Sequence, residues 1–303
     1  MGDRDLFKAL VNKADGYRDR APVFRTEQPD PKAMEKEARS IARFLWPFFG
    51  DCQPRLVADV VNGVLMMQVP EGGDVGLFHP SGAIAGALRN ARSKKPLVED
   101  ERKADRKAIR AHLEGVASEI ARSRLAQNDE LKFESLWERK AQGVTLKGEK
   151  THVTLIEVVG AFRRYLHGLP VLGRASVHVG VSGAVEVTKW GIDWRRVVEK
   201  PFADAAIVDP KEGAKRVMDD MAWRRPERAF SLDDFEPAAF QLGYMSFGRR
   251  VEQRVMQPVW VAVLKPRGAT SMGQVVTVPA APQAYEPLGR PMKMTRSRTP
   301  VEA

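Results

Sequence analysis

The chain has 303 residues and a mass of 33.8 kDa, which is enough for one large domain or two ordinary ones with a buried core. Its 49 Lys and Arg residues outnumber 39 Asp and Glu residues, and the resulting net charge of +10 favours acidic or polyanionic partners. A single cysteine, Cys52, excludes an intramolecular disulfide and any metal site built from several cysteines. No apolar run reaches the length of about 18 residues that a membrane-spanning helix requires.

Residues 1–29 are polar and charged, and they are predicted to form a flexible N-terminal segment. They lack the apolar stretch of about 7–15 residues that a secretory signal requires. Leu6 stands where the myristoylation pattern requires Ser or Thr. From these features we expect a cytoplasmic protein.

The segment 30–140 is predicted to form a first α+β unit. Asp30 followed by Pro31 indicates a helix start, because Asp caps helix N-termini and Pro fits the first helical position. The segment 55–69 is rich in Val, Leu and Met and is predicted to be one long strand. A long helix is then predicted over residues 98–125, where apolar residues recur at helical spacing.

The segment 141–266 is predicted to form a second α+β unit that is richer in strands. Residues 151–165 form a predicted strand that is apolar on both faces toward its middle. Residues 177–190 alternate as a hairpin should, and Asp209 followed by Pro starts another helix. Two further strands are predicted over 238–247 and 255–264.

The residues after the second unit, 267–303, are rich in Pro and in basic residues and are predicted to form a flexible tail. A weak internal repeat links the two units, because Asp-Pro-Lys opens both predicted helices at 30–32 and 209–211. Each helix is followed by strand-rich sequence. The predicted fold class is therefore α+β, with two tandem helix-on-antiparallel-sheet units.

Residues 162–173, FRRYLHGLPVLG, resemble the R-x-h-x-G-l-P-V-x-G signature of PepSY and FTP-like modules. Such modules occur in the propeptides of thermolysin-type proteases and in related bacterial proteins. The likeness covers about residues 150–265 and includes the strand, glycine turn and strand at 177–185 and the pair Trp194 and Arg195. The resemblance implies a PepSY/cystatin-like helix on an antiparallel sheet, a non-catalytic role and relatives outside the cytoplasm.

The sequence contains no recognisable catalytic or cofactor motif. The glycine-rich segments do not form a nucleotide-binding loop, and no nucleophile elbow is present. His152 and His178 fall on predicted strands that would be neighbours, and a site shared with Glu157 or Glu186 is one alternative to ordinary surface or core histidines. We therefore predict no cofactor, no metal and no catalytic residue, and the sequence favours a protein that is not an enzyme.

The leading functional hypothesis is a non-catalytic module that binds a peptide or protein, such as a chaperone, inhibitor or assembly factor, on a sheet face or edge. Arg and Trp dominate binding hot spots, although the same residues also stack to hold a protein's own surface together. The candidate partner-binding residues are Arg164, Tyr165, His167, Trp190, Trp194 and Arg195.

Two other functions stay open. A nucleic-acid or polyanion binder would use the basic run 89–110, although the acidic residues within that run favour a solvated helix face. An enzyme would need a small-molecule pocket between the two units. The sequence makes no prediction of the oligomeric state. The candidate polyanion-binding residues are Arg102, Lys103, Arg106, Lys107 and Arg110.

Overall fold

The chain folds into an extensive mixed β-sheet against which α-helices pack. The computed structural model describes residues 3–46, 55–59, 63–69, 73–88, 96–174, 176–183, 186–224, 234–267 and 273–288. Within these ranges, no helix is long and apolar enough to cross a membrane. The α-helices are α1 Asp3–Asn12, α2 Pro31–Leu45, α3 Arg106–Ala121 and α4 Pro210–Arg224. The strands are β1 Ala14–Asp15, β2 Arg20–Arg25, β3 Arg55–Asp59, β4 Val64–Val69, β5 Gly73–Phe78, β6 Ala83–Leu88, β7 Asp129–Ala141, β8 Thr154–Leu166, β9 Leu169–Leu172, β10 Val177–Ser182, β11 Glu186–Ile192, β12 Ala203–Ala206, β13 Phe235–Met245, β14 Val255–Met256, β15 Pro258–Pro266 and β16 Gln274–Pro279.

In the described part of the chain, the main sheet has 13 strands, and β8 pairs with three of them. Its order is β16-β15-β13-β9-β8-β10-β11-β6-β5-β4-β3, with β1 beside β13 and β7 beside β8. All pairs are antiparallel except those that β1 and β9 make with β13. Strand β7 follows the whole length of β8, whereas β10 pairs with residues 157–162 and β9 with residues 165–166 of β8. Strands β12, β2 and β14 form a separate small sheet.

The predicted fold class of two tandem helix-on-antiparallel-sheet units is wrong. Strand β6 lies in the first predicted unit and pairs with β11 in the second. Strand β7 spans residues 129–141, across the predicted boundary, and pairs with β8. The two sequence halves therefore share one sheet. Periodicity along the chain is a local signal, and it carries no information about which distant strands become neighbours.

Two segments predicted to be flexible contribute to the folded core. The N-terminal segment 1–29 contains α1 and β2, and Leu6 and Leu10 are buried because they lie one helical turn apart on one face of α1. Within the segment 267–303, β16 pairs with β15 and buries Val276 and Val278. Residues 289–303 lie outside the described residues.

Both predicted helix starts are confirmed, but other element bounds differ. The carboxylate of Asp30 accepts hydrogen bonds from the amides of Lys32 and Ala33 at the start of α2. Asp209 accepts equivalent bonds from the two amides that follow Pro210, at 2.8 and 2.9 Å. The predicted long strand 55–69 is two paired strands, β3 and β4. The predicted helix 98–125 is confined to α3, because a 3₁₀ turn at 101–103 precedes it.

The Gly-Leu-Pro-Val bend joins two neighbouring antiparallel strands, β8 and β9. His167 and Gly168 occupy the two-residue loop with φ values of 50° and 76°, which is typical of a type I′ hairpin turn. Gly173 has a φ of 113°, and a Cβ there would lie 2.6 Å from the carbonyl oxygen of Ser246. The motif therefore shapes a turn and a close backbone approach, not a chemical site.

In the described residues, two large apolar clusters cover different parts of the sheet, and a small third contains Leu172, Val259 and Val261. One lies beneath α2 and α3 and includes Trp46, Trp190 and Trp194. The other lies beneath α1 and α4 and includes Tyr244 and Trp260. In the first cluster, the alternating valines of β10 face α3, so the polar residues between them point to the opposite face. That opposite face carries the cleft described below.

Candidate binding cleft

A cleft of about 670 Å³ opens on the face of β7, β8, β10 and β11 that is turned away from α3. Its volume lies within the range of about 300–1,000 Å³ that is common for ligand sites. The strands provide its floor, and the loops after β9, β11 and β13 provide one wall. The strand residues of the lining include Trp137, Arg139, Glu157, Val159, His178 and Lys189, and the loop residues are Gly173, Arg174, Asp193 and Arg249.

Two cross-strand glycines give the floor its shape. His178 pairs with Gly191 and Gly180 with Lys189 between β10 and β11. A Cβ at Gly191 would overlap the imidazole of His178, and a Cβ at Gly180 would lie 2.6 Å from Cγ of Lys189. Both long polar side chains therefore lie flat across the neighbouring strand, because the facing residue has no side chain.

A buried carboxylate organises the centre of the cleft. The side chain of Glu157 is 4% exposed and accepts a hydrogen bond from Nζ of Lys189 at 2.9 Å. It also accepts a bond from the hydroxyl of Thr188 at 3.2 Å, and Nε of Arg139 lies 3.8 Å away. Two cations therefore share one carboxylate, so that its acceptor positions are occupied by the protein's own groups.

The cations at the rim differ in their pairing. Arg249 donates to Asp193 through two nitrogens, with an Nη2–Oδ2 distance of 3.0 Å. Arg163 pairs with Glu134. Arg174 is exposed and has neither an ion pair nor a hydrogen bond within the part of the chain that the structure describes. It is therefore the cation of the cleft that is available to another molecule.

His178 is neutral at physiological pH. Burial lowers its pKa to about 4, and the charges of Arg249, Lys189 and Arg174 act in the same direction, while Asp193 opposes them. Among the described residues, the imidazole has no hydrogen-bond partner. A neutral imidazole can donate one bond and accept one, so His178 offers a polar group without adding charge.

An exposed aromatic ring borders the cleft. The side chain of Trp137 on β7 is 56% exposed and lines the cleft beside Arg139. In the described residues, it has no aromatic or cationic neighbour stacked on its ring. An exposed indole and an available guanidinium in one cleft combine two residue types that are enriched in binding hot spots.

Four of the predicted partner-binding residues lie in the interior instead. Arg164 is 2% exposed; it donates to Asp129 at 2.9 and 3.0 Å and to the carbonyl of Arg195 at 2.7 Å. Its guanidinium lies 4.7 Å from the ring centre of Trp194. Trp190 is fully buried and packs against Trp46 at a centroid distance of 6.2 Å. These side chains stabilise the fold and present no surface to a partner.

Arg195 joins the turn between β5 and β6 to the loop after β13. It is 4% exposed and donates to the carbonyls of Pro80, Gly248 and Val251 at 3.1, 3.0 and 2.6 Å. Burial lowers the pKa of its guanidinium to about 10, a value at which the group still carries its charge at neutral pH. Backbone carbonyls accept hydrogen bonds from both Nη atoms, so Arg195 is a structural crosslink.

The other two predicted residues are partly exposed but lie outside the cleft. Tyr165 lies under the ammonium of Lys132, which is 4.4 Å from the ring centre. His167 occupies the β8–β9 turn, with its ring 5.1 Å from that of Phe24. Neither lines the cleft.

The predicted polyanion-binding residues are largely neutralised by neighbouring carboxylates. Arg102 pairs with Asp100, Arg106 with Glu138 and Arg110 with Glu114, at 2.7–2.8 Å. Lys103 and Lys107 have no ion pair within the described ranges, and residues 89–95 of the basic run lie outside those ranges. The alternation of signs favours a solvated helix face over a phosphate track.

The alternative of a site shared by His152 and His178 is not realised in the structure. Nδ1 of His152 lies 3.0 Å from Nη2 of Arg102 and is not part of the cleft that contains His178. Glu157 lines that cleft, whereas Glu186 is exposed at the start of β11. In the described residues, no three His, Cys, Asp or Glu side chains form a group that could hold a metal. Cys52 lies outside them.

Sequence reasoning missed the cleft residues Trp137, Arg174 and Gly191. The alternation of residues 177–181 did place His178 on the face opposite the valines. It did not show that His178 would face a glycine on the next strand, because the pairing register is a property of the folded sheet. The signal that could have indicated the site is the hairpin register itself: once it is assigned, His178 lies opposite Gly191 and Lys189 opposite Gly180.

Comparison with known proteins supports the overall architecture. No protein-family model matches the chain, and no curated protein matches it. Nine chains of solved structures match, and one is the 1.45 Å crystal structure of an uncharacterized protein from Eubacterium rectale ATCC 33656. Its TM-score is 0.51 at 11% sequence identity, and the similarity covers 91% of this chain and 95% of that one. Similarity at this identity concerns the fold alone. The resemblance to PepSY and FTP-like modules stays a prediction.

Proposed function

We propose that the protein is a non-catalytic binding module that holds an extended segment of a polypeptide partner in the cleft. The observation that carries this proposal is the exposed indole of Trp137 in the same cleft as Arg174, which has no partner among the described residues. Trp137 lies on a strand of the sheet and Arg174 on the bend that follows β9, so a ligand would meet groups that the folded backbone already positions.

The face of the sheet supports binding better than its edge does. Strand β7 pairs with β8 alone among the described strands, so its other side is an open edge of 13 residues. Irregularities in the pairing lie between Phe133 and Ser135 and between Arg139 and Lys140, and charged residues recur along the strand. Bulges and charges are the features by which edge strands avoid pairing with other chains. We therefore assign recognition to the cleft.

The chemistry of the cleft supports binding over catalysis. Glu157 already accepts hydrogen bonds from Lys189 and Thr188, so its oxygens are engaged by the protein's own groups. Ser135 lines the cleft, but no hydrogen bond joins it to His178 in the described part of the chain. A nucleophile activated by a base is therefore not assembled from these groups.

The test is to measure retention of extended peptides by the immobilised full chain. Trp137→Ala is expected to weaken retention by at least tenfold, because truncating a hot-spot tryptophan costs about 2 kcal/mol or more. Trp223→Ala is the matched control, since Trp223 is also 56% exposed but lies on α4, outside the cleft. Equal retention by Trp137→Ala and the unaltered chain would contradict the proposal, as would an equal loss in both variants.

A further inference from the structure

The charges that line the cleft do not balance. Arg163 and Arg249 each have their own carboxylate, Glu134 and Asp193. Of the three other cations, Arg139 and Lys189 lie at the single carboxylate of Glu157, and Arg174 has no carboxylate partner among the described residues.

Glu138, the remaining carboxylate of the lining, pairs with Arg106 and Lys140, which lie outside the cleft. The three cations Arg139, Lys189 and Arg174 outnumber the one carboxylate of Glu157, so the cleft has an excess of about two positive charges at neutral pH.

The environment of His178 is a second sign of this excess. The ring shares the cleft with Lys189, Arg174 and Arg249, and these cations disfavour a further positive charge on it. Asp193 is the carboxylate that acts in the opposite direction. The floor therefore contains a neutral donor or acceptor surrounded by cations, which suits an anionic group and repels a cationic one.

We infer that the bound polypeptide is acidic: an Asp or Glu side chain of the partner accepts hydrogen bonds from Arg174, and an apolar or aromatic neighbour of that residue packs on Trp137. This inference rests on the proposed function and names the chemistry of its ligand. A guanidinium suits this role because it can hold a carboxylate through two parallel bonds. Arg174 is exposed, so it can turn toward a ligand without breaking an internal contact of the described residues.

The test uses three sets of synthetic decapeptides that share one Trp and differ at a position two residues away, which is Glu, Gln or Lys. Binding to the full chain is measured by fluorescence anisotropy at low salt and again at about 0.5 M salt. The Glu peptides are expected to bind at least tenfold more tightly than the Gln peptides, and the Lys peptides most weakly. The preference for Glu should shrink at high salt, because the cleft is open to solvent.

The variant Arg174→Gln is expected to abolish most of the preference for Glu over Gln, and Arg174→Glu to reverse it in favour of Lys. Arg43→Gln is the control, because Arg43 is an exposed residue of the last turn of α2 and does not line the cleft. Thermal unfolding of each variant checks that the fold is retained.

The outcomes separate the two proposals. Binding of all three peptide sets with equal affinity would overturn the inference of an acidic ligand and leave the binding module standing. A Glu preference that survives Arg174→Gln would overturn the role of Arg174. Failure of every peptide to bind would overturn the proposed function and the inference with it.

Discussion

Two regions of the molecule combine arginine with tryptophan, and they use the combination in opposite ways. In the interior, Arg164 stacks near Trp194 and donates to the carboxylate of Asp129, so every polar end of the guanidinium is engaged. In the cleft, Trp137 is exposed and Arg174 has no partner in the described residues. The difference depends on whether the fold brings a carboxylate and a carbonyl within reach of the guanidinium, which residue type alone does not reveal.

The largest effect on stability is expected when the interior arginine, Arg164, is replaced. The side chain of Asp129 is 0% exposed, and Arg164→Met removes the cation that pairs with its carboxylate. Loss of one partner from a buried ion pair costs about 3–5 kcal/mol. We expect a decrease of that size in the free energy of unfolding, measured by urea denaturation at neutral pH.

The exposed member provides the control for that experiment. Arg174→Met should change the free energy of unfolding by less than about 0.5 kcal/mol, as is usual for exposed positions. Adding Asp129→Leu to Arg164→Met should recover part of the lost stability, since the unpaired charge is then removed. If Arg164→Met and Arg174→Met destabilised the protein equally, the contrast between interior and cleft would be refuted.

The second effect concerns the pH dependence of stability. The pKa of His178 falls from its ordinary value of 6.5 to about 4 in the folded protein, because of burial and then the charge of Arg249. Between these values the unfolded chain binds the proton more readily, so this stability is complete above pH 6.5 and is lost as the pH falls toward 4. The shift corresponds to at most about 3 kcal/mol.

His178→Gln is expected to remove this part of the pH dependence. Urea denaturation at several values between pH 7 and pH 4 measures it for the variant and the unaltered chain. Two curves with the same slope over that interval would exclude His178 as the group responsible.

The smallest effect compares two glycines, one in the core and one in the cleft. A Cβ at Gly86 would lie 2.6 Å from Nε1 of Trp190 and 2.8 Å from Cη2 of Trp46, and neither buried ring can move away. Gly86→Ala should therefore cost about 1–3 kcal/mol. At Gly180 the obstacle is the stem of Lys189, which borders the open cleft and can move, so Gly180→Ala should cost less than Gly86→Ala. Thermal unfolding of both variants gives the order, and a larger loss for Gly180→Ala would contradict it.

Local features of the fold could be predicted from the sequence. Asp30 and Asp209 cap helices, and Gly168 takes a positive φ in a tight turn, because each depends only on a few neighbouring residues. The histidine on β10 could be assigned to the polar face by alternation. These are properties of segments shorter than about ten residues, where local chemistry decides the conformation.

The arrangement of the sheet and the location of the site could not be predicted in this way. The pairing of β6 with β11 joins residues about one hundred positions apart, and no local pattern encodes it. Arg164 follows another arginine in an apparently basic stretch, yet the fold buries it beside Asp129. Conversely, the sequence around Arg174 did not indicate a binding residue. Arg174 is available because the carboxylates of the cleft pair with other cations, which only the fold reveals.

The position of β8 has a mechanical consequence. Along one edge of β8, residues 157–162 pair with β10, which packs under α3, and residues 165–166 pair with β9, which in turn pairs with β13. A ligand seated on β8 and β10 touches the same backbone that anchors the α1–α4 side. A ligand in the cleft would therefore rest on the strand that joins the two large apolar clusters, since Phe162 of β8 belongs to one and Leu166 to the other.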